Sequence, residues 1–496
     1  MGQLSLLSLL KKQHQEQKFQ ELDQQQLEQE SNEKIQIKLL DFINLHQNLS
    51  IKDVYEILPS KLGIGSQSVV KIGLHKVLGI TRAIKIIDKS TVLIGDISTV
   101  LHEAEILKQL DHPNVIKILE FYQNSKQIFI VTELCNGGEL IDAIVESDKF
   151  SEKDTIKLMK QVLQGLNYCH QHKIVHRNIN PSDILFDNKD KRDIIKIIDF
   201  ETSRIFDQNQ KMTQRIGTPY YIAPEVLERN YDQKCDIWSC GVLTYILLSR
   251  SPPFNGESEA QVLERVKQGK YDLNSQEWNN ITNEAKDFIS KLMEKDPNKR
   301  YNAEQALKHT WITQLKEDIE QSQIERVLKN IKSFKSISKI QFTIYQYIVN
   351  QLITQEDKSE LIKIFKFLDT NDDGLLSKQE LLVGLKMIMN EYEAVEQVGI
   401  IMNNLDQNNS GYIDYSEFIA ASINRSELLS YDRITNIFKM IDKDCNGLIN
   451  ANDLKLIFGN GQISDQIWIQ LIQEINNNKE DINFQDFQGF IHNIIY

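Results

Sequence analysis

The chain has 496 residues, enough for about three to four domains of ordinary size, and 41% of them are hydrophobic, so sizeable cores can form. A formal net charge of −13 excludes a protein that holds nucleic acid through a net basic face; it suits a chain rich in cation-binding carboxylates, although a merely soluble acidic surface reads the same way. Cys135, Cys169, Cys235, Cys240 and Cys445 form no CxxC pair, which argues against a disulfide framework and for a cytoplasmic location, and no apolar run approaches the ~20 residues that span a bilayer.

Residues 1–50 read as an extension. Leu4, Leu6, Leu7, Leu9 and Leu10, followed by Lys11 and Lys12, offer an apolar segment to a membrane or a partner, although such a segment is more often a frayed helix. Gly2 raises lipidation, but the acceptor pattern wants Ser or Thr where Leu6 stands. There is no basic start, apolar core and small-residue cleavage site of a signal peptide. Residues 13–36 are dominated by Gln, Glu and Lys and bury little, so the extension is expected to be partly helical or disordered.

From Tyr55 to Trp311 the texture is globular. β-Branched runs come first (Val69 to Ile72, Ala83 to Ile87, Ile128 to Thr132) and helical patterns later, which suggests a small β-rich lobe joined to a larger helical one. Gly63 and Gly65 in L-G-I-G-S-Q-S-V-V permit a hairpin whose amides approach phosphates, with Val70 beyond it. In A-I-K, Ala83 and Lys85 lie on a strand, and Glu103 in L-H-E-A-E-I-L is placed on a helix to pair with Lys85. E-L-C-N-G-G-E-L follows, carrying Glu133, Cys135 and Glu139, and then H-R-N at 176–178, D-F-E at 199–201, A-P-E at 223–225, D-I-W-S-C-G at 236–241 and Arg300.

Residues 313–355 form a junction. Ile324, Val327, Leu328 and Ile331 recur at i, i+3, i+4, i+7, with Arg326, Lys329, Lys332, Lys335 and Lys339 interleaved. A basic amphipathic helix reads as a target for a calmodulin-like module, the plainer reading being a surface helix packed on its neighbour.

Residues 369–380, D-T-N-D-D-G-L-L-S-K-Q-E, fit a twelve-residue EF-hand loop. Asp369, Asn371, Asp373, the Leu375 carbonyl, Ser377 and Glu380 supply the oxygens that a hard Ca²⁺ requires, and Gly374 permits the sharp turn. In 406–417 the set is Asp406, Asn408, Ser410, the Tyr412 carbonyl, Asp414 and Glu417, with Gly411 at the turn. In 442–453 it is Asp442, Asp444, Asn446, the Leu448 carbonyl, Asn450 and Asp453, with Gly447. The last position here is Asp, whose shorter reach predicts weaker calcium binding or more magnesium tolerance. A fourth repeat at 476–486 is one residue short and lacks the glycine, so it is expected to pair with the third and bind nothing. Loop starts at 369, 406, 442 and 476 repeat at near-even spacing.

These motifs, together with L-D-H-P-N-V-I-K and G-T-P-Y-Y-I-A-P-E-V-L, resemble the calcium-dependent protein kinase family of plants and protists over about residues 50–496. The resemblance implies an α+β bilobal protein-kinase fold at 51–312, an autoinhibitory-type junction at 313–355 and an all-α calmodulin-like domain at 356–496. It implies ATP and Mg²⁺ in the kinase cleft, with nucleotide contacts at Gly63, Gly65, Val70, Ala83, Lys85, Glu103, Glu133, Cys135 and Glu139 and magnesium at Asp183 and Asp199. It implies Ca²⁺ in the loops and capture of the junction by the EF-hands once calcium opens them.

The chain departs from the family where the chemistry lies. The family's H-R-D-x-K-P-x-N reads H-R-N-I-N-P-S-D here. Asn178 stands at the proton-acceptor position, Asn180 replaces a phosphoryl-stabilising lysine, Asp183 replaces a metal-binding asparagine and Ser182 an acidic residue that reads basic substrates. Glu201 replaces the glycine after D-F. An amide can orient a hydroxyl but is not a useful base, and general-base catalysis is typically worth ~10²–10⁴ in rate. The expectation is therefore a pseudokinase or very weak kinase acting as a calcium-switched scaffold. The alternatives are an active calcium-dependent Ser/Thr kinase and a calcium buffer with a vestigial kinase lobe.

Overall fold

The computed structural model describes residues 45–46 and 50–495, apart from 66–67, 91–96, 147–149, 208–209, 316–318, 335–338, 407, 459–464 and 477–479. The apolar and Gln-rich stretches read in the first 44 residues lie outside the described residues. Leu45–His46, expected to belong to a helical or disordered extension, instead forms a short strand, β1, on the sheet edge.

The small lobe is a six-stranded sheet. β2 (Tyr55–Ile64), β3 (Ser68–His75), β4 (Thr81–Asp88), β5 (Ile118–Gln123) and β6 (Gln127–Thr132) join β1 in the order β1-β5-β6-β4-β3-β2, all pairs antiparallel except β1 with β5. The period-2 alternation of β4 does the positioning. Arg82 and Ile84 are buried on one face, with Ile84 in a cluster with Tyr55, Tyr122, Phe129 and Val131, while Ala83 and Lys85 take the other. Register sets Val70 opposite Lys85 and Ala83 opposite Thr132. α1 (Ile97–Lys108) crosses this sheet and carries Glu103.

The large lobe is built around α2 (Glu152–Gln171) and α3 (Lys234–Ser249). α2 starts at an N-cap, the Ser151 hydroxyl accepting from the Asp154 amide, and buries Ile156, Met159, Val162, Leu163 and Leu166. Beneath it, β7 (Ile184–Phe186) pairs with β8 (Ile195–Ile197), an antiparallel hairpin whose open end brings Asp183, just before β7, beside Asp199, just after β8. Glu225 and Arg300 are buried and paired, Arg300 Nη2 donating to Glu225 Oε2 at 3.0 Å. Removing one partner of such a pair typically costs 3–5 kcal/mol, because the other charge stays buried.

The junction is two helices, not one amphipathic run: α4 (Gln321–Lys332) and α5 (Lys339–Leu352). Ile324, Val327, Leu328 and Ile331 form the buried stripe of α4, each such side chain contributing about 1.5–3 kcal/mol by burial. Lys335 lies outside the described residues.

α6 (Gln355–Leu368) and α7 (Lys378–Leu385) flank the first calcium loop, α8 (Glu391–Leu405) and α9 (Tyr415–Ser422) the second. β9 (Leu376–Ser377) pairs with β10 (Tyr412–Ile413), tying the loops together. α10 (Tyr431–Ile441) and α11 (Ala451–Phe458) flank the third loop, α12 (Asp465–Ile475) and α13 (Phe484–Ile495) the fourth repeat. β11 (Leu448–Ile449) pairs with β12 (Ile482–Asn483), so the shortened repeat keeps its strand even without the turn glycine. No helix among the described residues is long and apolar enough to cross a membrane.

Candidate active site and calcium loops

Lys85 sits at the centre of the cleft. Its Nζ donates to both carboxylate oxygens of Glu103, at 3.0 and 2.8 Å, and lies 3.7 Å from Asp199 and 3.9 Å from Glu201. Burial pulls its pKa down, but Glu103 and then Asp199 outweigh it and hold the ammonium above its usual range, while burial raises the Glu103 carboxyl against the pull of Lys85. Glu201, foreign to the family's pattern, adds a third carboxylate to this cation. At the cleft roof, the Gly65 amide donates to the Ser68 carbonyl at 2.8 Å, and a Cβ on Gly65 would come within 2.6 Å of Ser68 Oγ, so a side chain here would have to displace that hydroxyl.

The catalytic loop is clamped by buried Asp236 of α3, which accepts from the amides of His176 at 3.0 Å and Arg177 at 2.8 Å. Arg177 and Asp199 both adopt left-handed φ, 70° and 62°. Non-glycine residues persist there only where the surroundings over-determine them, and they cluster at functional sites.

Within that clamp the substituted residues bind one another. Asn178 Oδ1 accepts from the Thr218 amide at 3.0 Å and its hydroxyl at 2.8 Å. Asn178 Nδ2 donates to Asp183 Oδ2 at 2.9 Å, and Asn180 Nδ2 donates to the same oxygen. Asn180 also bonds the Asn178 carbonyl at 3.1 Å and takes the Ser182 amide at 2.9 Å. Asp and Asn have exchanged places: the carboxylate absent at 178 is present at 183, hydrogen-bonded to the amide that replaced it. Burial, then Asp199, pushes the Asp183 carboxyl up to about 8. Asp199 Oδ1 is buried without a hydrogen-bond partner. A cation between these carboxylates would relieve both conditions, so the residues present fit Mg²⁺, held by Asp183 and Asp199.

The Glu133 side chain, assigned above to the nucleotide, is committed elsewhere. It is buried and accepts from Lys196 Nζ at 2.7 Å, Lys358 Nζ at 3.2 Å and the Lys117 amide at 3.0 Å. Burial would raise its pKa, but Lys196 and then Lys358 hold it well below the carboxylate range. Cys135, partly buried, lies close enough to Glu133 for that charge and burial to push its thiol up. Glu139 is half-exposed, its carboxyl raised by burial and then by Asp142.

The calcium loops share one backbone. The fourth residues, Asp372, Asn409 and Cys445, have φ of 56°, 53° and 58°, and the sixth, Gly374, Gly411 and Gly447, have φ of 80°, 87° and 82°. In each, the first aspartate accepts the glycine amide: Asp369 at 2.8 Å, Asp406 at 2.9 Å and Asp442 at 2.9 Å. Glu380 Oε1 takes the Thr370 amide at 3.0 Å and its Oε2 the Ser377 amide at 2.9 Å. Glu417 takes the Asp414 amide at 3.0 Å. Burial pushes Asp369 up to about 8 and Asp414 up to about 7, the second also through Asp111. Oxygens of Asp442, Asp444 and Asp453 lie within 4.8 Å of one another. Converging, partly desolvated carboxylates are a donor set that suits Ca²⁺.

Residues 56–312 match the protein kinase domain and residues 358–423 an EF-hand domain pair. Calcium-dependent protein kinase 4 of Plasmodium falciparum (isolate 3D7) is 40% identical over 447 residues, covering 87% of this chain and 85% of that protein. Calcium-dependent protein kinase 3 of Plasmodium berghei (strain Anka) is 37% identical over 449 residues, covering 88% and 80%. The chain belongs to the calcium-dependent protein kinase family. As in that family, the EF-hands indicate Ca²⁺ and the kinase domain ATP and Mg²⁺.

The EF-hand helices pack on α4, whose neighbours are α6, α8 and α9. Asn330 Nδ2 donates to the Ser422 carbonyl at 2.8 Å, Asn404 Nδ2 to the Phe334 carbonyl at 2.9 Å, and Arg425 lies 5.2 Å over the Phe334 ring. The kinase lobe is gripped as well. Arg82 donates to the Gln351 carbonyl at 2.8 Å, Lys363 pairs with Asp193 at 2.7 Å, and Lys358 enters the Glu133 network. Sequence reasoning missed Lys358, Lys196 and Thr218. For Lys358 a signal existed: it shares a helix face with Leu361, Ile362 and Phe365, and a lysine on an apolar stripe needs a buried partner.

Proposed function

We propose that this chain is a calcium-switched member of the family in which phosphotransfer is lost or strongly impaired and a docking surface is the output. The observation that carries the reading is the state of Asn178. Its oxygen is occupied by two Thr218 donors and its nitrogen by Asp183, so no proton acceptor faces a substrate hydroxyl. Counted as formal charges against the family's pattern, the exchanges at 178, 180, 183 and 201 also leave the cleft two charges more negative around a polyanionic nucleotide. In this reading Lys85, Asp183 and Asp199 still hold ATP and Mg²⁺, and 313–355 is the element that calcium transfers to the EF-hands, with α4 among α6, α8 and α9 as its captured position. The free cysteines support a reducing, cytoplasmic setting.

A second reading, a slow but real Ser/Thr kinase, is favoured by the intact Lys85–Glu103 pair and by relatives named as kinases. Phosphotransfer from labelled ATP and Mg²⁺ to a generic substrate and to the protein itself, with calcium and with chelator, separates the two. We expect no transfer by the native chain, and transfer once Asn178→Asp, Asn180→Lys, Asp183→Asn and Glu201→Gly are combined. Calcium-dependent transfer by the native chain that Lys85→Ala removes would establish the second reading.

A further inference from the structure

The first two calcium loops are each fastened to the kinase lobe by a residue the ion does not use. In the first, Asp372 Oδ1 accepts from Gln164 Nε2 at 2.5 Å and the Asp372 carbonyl from Asn167 Nδ2 at 2.8 Å. The loop backbone rests on the same surface: a Cβ on Gly374 would lie 2.6 Å from His112 and 2.8 Å from Tyr168. In the second, Ser416 gives both of its donors to one carboxylate of the kinase lobe. Its amide reaches Asp111 Oδ2 at 2.8 Å and its hydroxyl Asp111 Oδ1 at 2.9 Å. Lys117 pairs with Asp111 and donates to Ser416 Oγ at 2.9 Å. Asp111 thus satisfies an amide in the first turn of α9, beside Asp414, which caps the same turn.

This arrangement fixes the sign of a coupling. Through Ser416, Asp111 is held beside the ligands Asp414 and Glu417 at the start of α9, so three carboxylates gather there, with Lys117 the cation paired to Asp111. Their repulsion opposes docking while the loop is empty. A divalent cation held by Asp414 and Glu417 offsets it, so calcium favours docking. Coupling between two equilibria is reciprocal, so docking must favour calcium by the same factor. Docking also fixes in advance the loop conformation that the ion would otherwise have to order.

We infer that the kinase lobe is part of what sets calcium affinity in the first EF-hand pair: Asp111 is a positioning residue for the second loop, and Gln164 and Asn167 for the first. The inference rests on calcium binding by these loops and not on whether phosphate is transferred or the junction moves. Among the described residues, Asp111 is hydrogen-bonded to Tyr168, Lys117 and Ser416, and to no group of the third loop.

Calorimetric calcium titration of the full chain tests it through a cycle of substitutions. Asp111→Asn and, more gently, Ser416→Ala should weaken calcium binding at one site, Asp111→Asn on the order of tenfold. In a chain whose second loop is already disabled by Glu417→Gln, neither should have a further effect. Asn167→Ala should weaken a different site, and should keep its effect in the Glu417→Gln chain. Unchanged affinities in Asp111→Asn and Ser416→Ala would overturn the inference. So would equal losses with and without Glu417→Gln, because the effect would then be general damage. A wild-type chain that binds calcium in these loops but does not rearrange would sink the switch proposed above and leave this inference standing.

Discussion

The calcium loops and the catalytic loop both aim side-chain oxygens at a cation, and they have fared differently. The calcium loops repeat one backbone three times, with left-handed residues at the fourth and sixth places and an aspartate accepting the glycine amide. The catalytic loop keeps its backbone, still clamped by Asp236, yet has exchanged its proton acceptor, its phosphoryl-stabilising lysine and its metal ligand together. The contrast teaches that the clamp and the chemistry are separate. Asp236 holds backbone amides and is indifferent to what side chains the loop carries. In an EF-hand the ligands themselves close the loop, so losing them loses the turn.

If that separation holds, the chemistry should be recoverable by side chains alone, and this is the largest effect we expect. Asn178→Asp by itself would set a second carboxylate against Asp183, at a contact of 2.9 Å now made by an amide donor. Like charges this close cannot both ionise. The single substitution should therefore gain little. Asn178→Asp with Asp183→Asn and Asn180→Lys should gain about 10²–10⁴ in phosphotransfer rate. Equal rates for the single and combined proteins would mean that Asp183 does not oppose a carboxylate at 178.

The calcium loops should fail in the opposite manner, through loss of structure change and not of chemistry. Glu380→Gln with Glu417→Gln removes the carboxylates that close the first two loops and should abolish the calcium-induced change in small-angle scattering. A full response in that protein would break the comparison. A smaller effect is expected at the junction. Leu328 is fully buried in α4, and truncation to Ala at such a site typically costs 2–5 kcal/mol. We expect α4 to become protease-sensitive in Leu328→Ala while the kinase lobe keeps its melting transition.

What the sequence revealed follows the same division. The EF-hand positions were legible because each ligand is spaced along one short loop, and the bilobal fold because strand alternation and helical stripes are local patterns. Glu103 was legible as the partner of Lys85 because the family's motif order names it. The hydrogen bonds of Asn178 to Thr218 and Asp183 were not, since nothing in H-R-N-I-N-P-S-D says which amide faces which carboxylate. The grip of Asp111 on Ser416 and of Glu133 on Lys358 was hidden for a deeper reason. Each joins residues far apart in the chain, so no local spacing points from one partner to the other. Glu133 shows the difference: its place in E-L-C-N-G-G-E-L suggested the nucleotide, while its carboxylate pairs with two buried lysines.

The third loop offers the finest test of how closely ligand length, and not backbone, sets affinity. Its backbone matches the other two, yet it ends in Asp453, whose oxygens accept the Lys443 amide at 3.1 Å and the Asn450 amide at 3.0 Å. Aspartate is one methylene shorter than the glutamate at the same place in the first two loops. To give both oxygens to an ion, α11 must approach by more than α7 or α9 need to. Asp442, Asp444 and Asp453 already converge within 4.8 Å, so a small ion that asks for a tight, monodentate shell is served without that movement. Asp453→Glu should therefore strengthen calcium binding in the third loop by about tenfold and weaken magnesium competition for it. Calcium titration with and without millimolar magnesium reads both changes. If calcium affinity stays fixed while magnesium competition is unaltered, the convergence of the other carboxylates, and not the reach of the last one, governs the site.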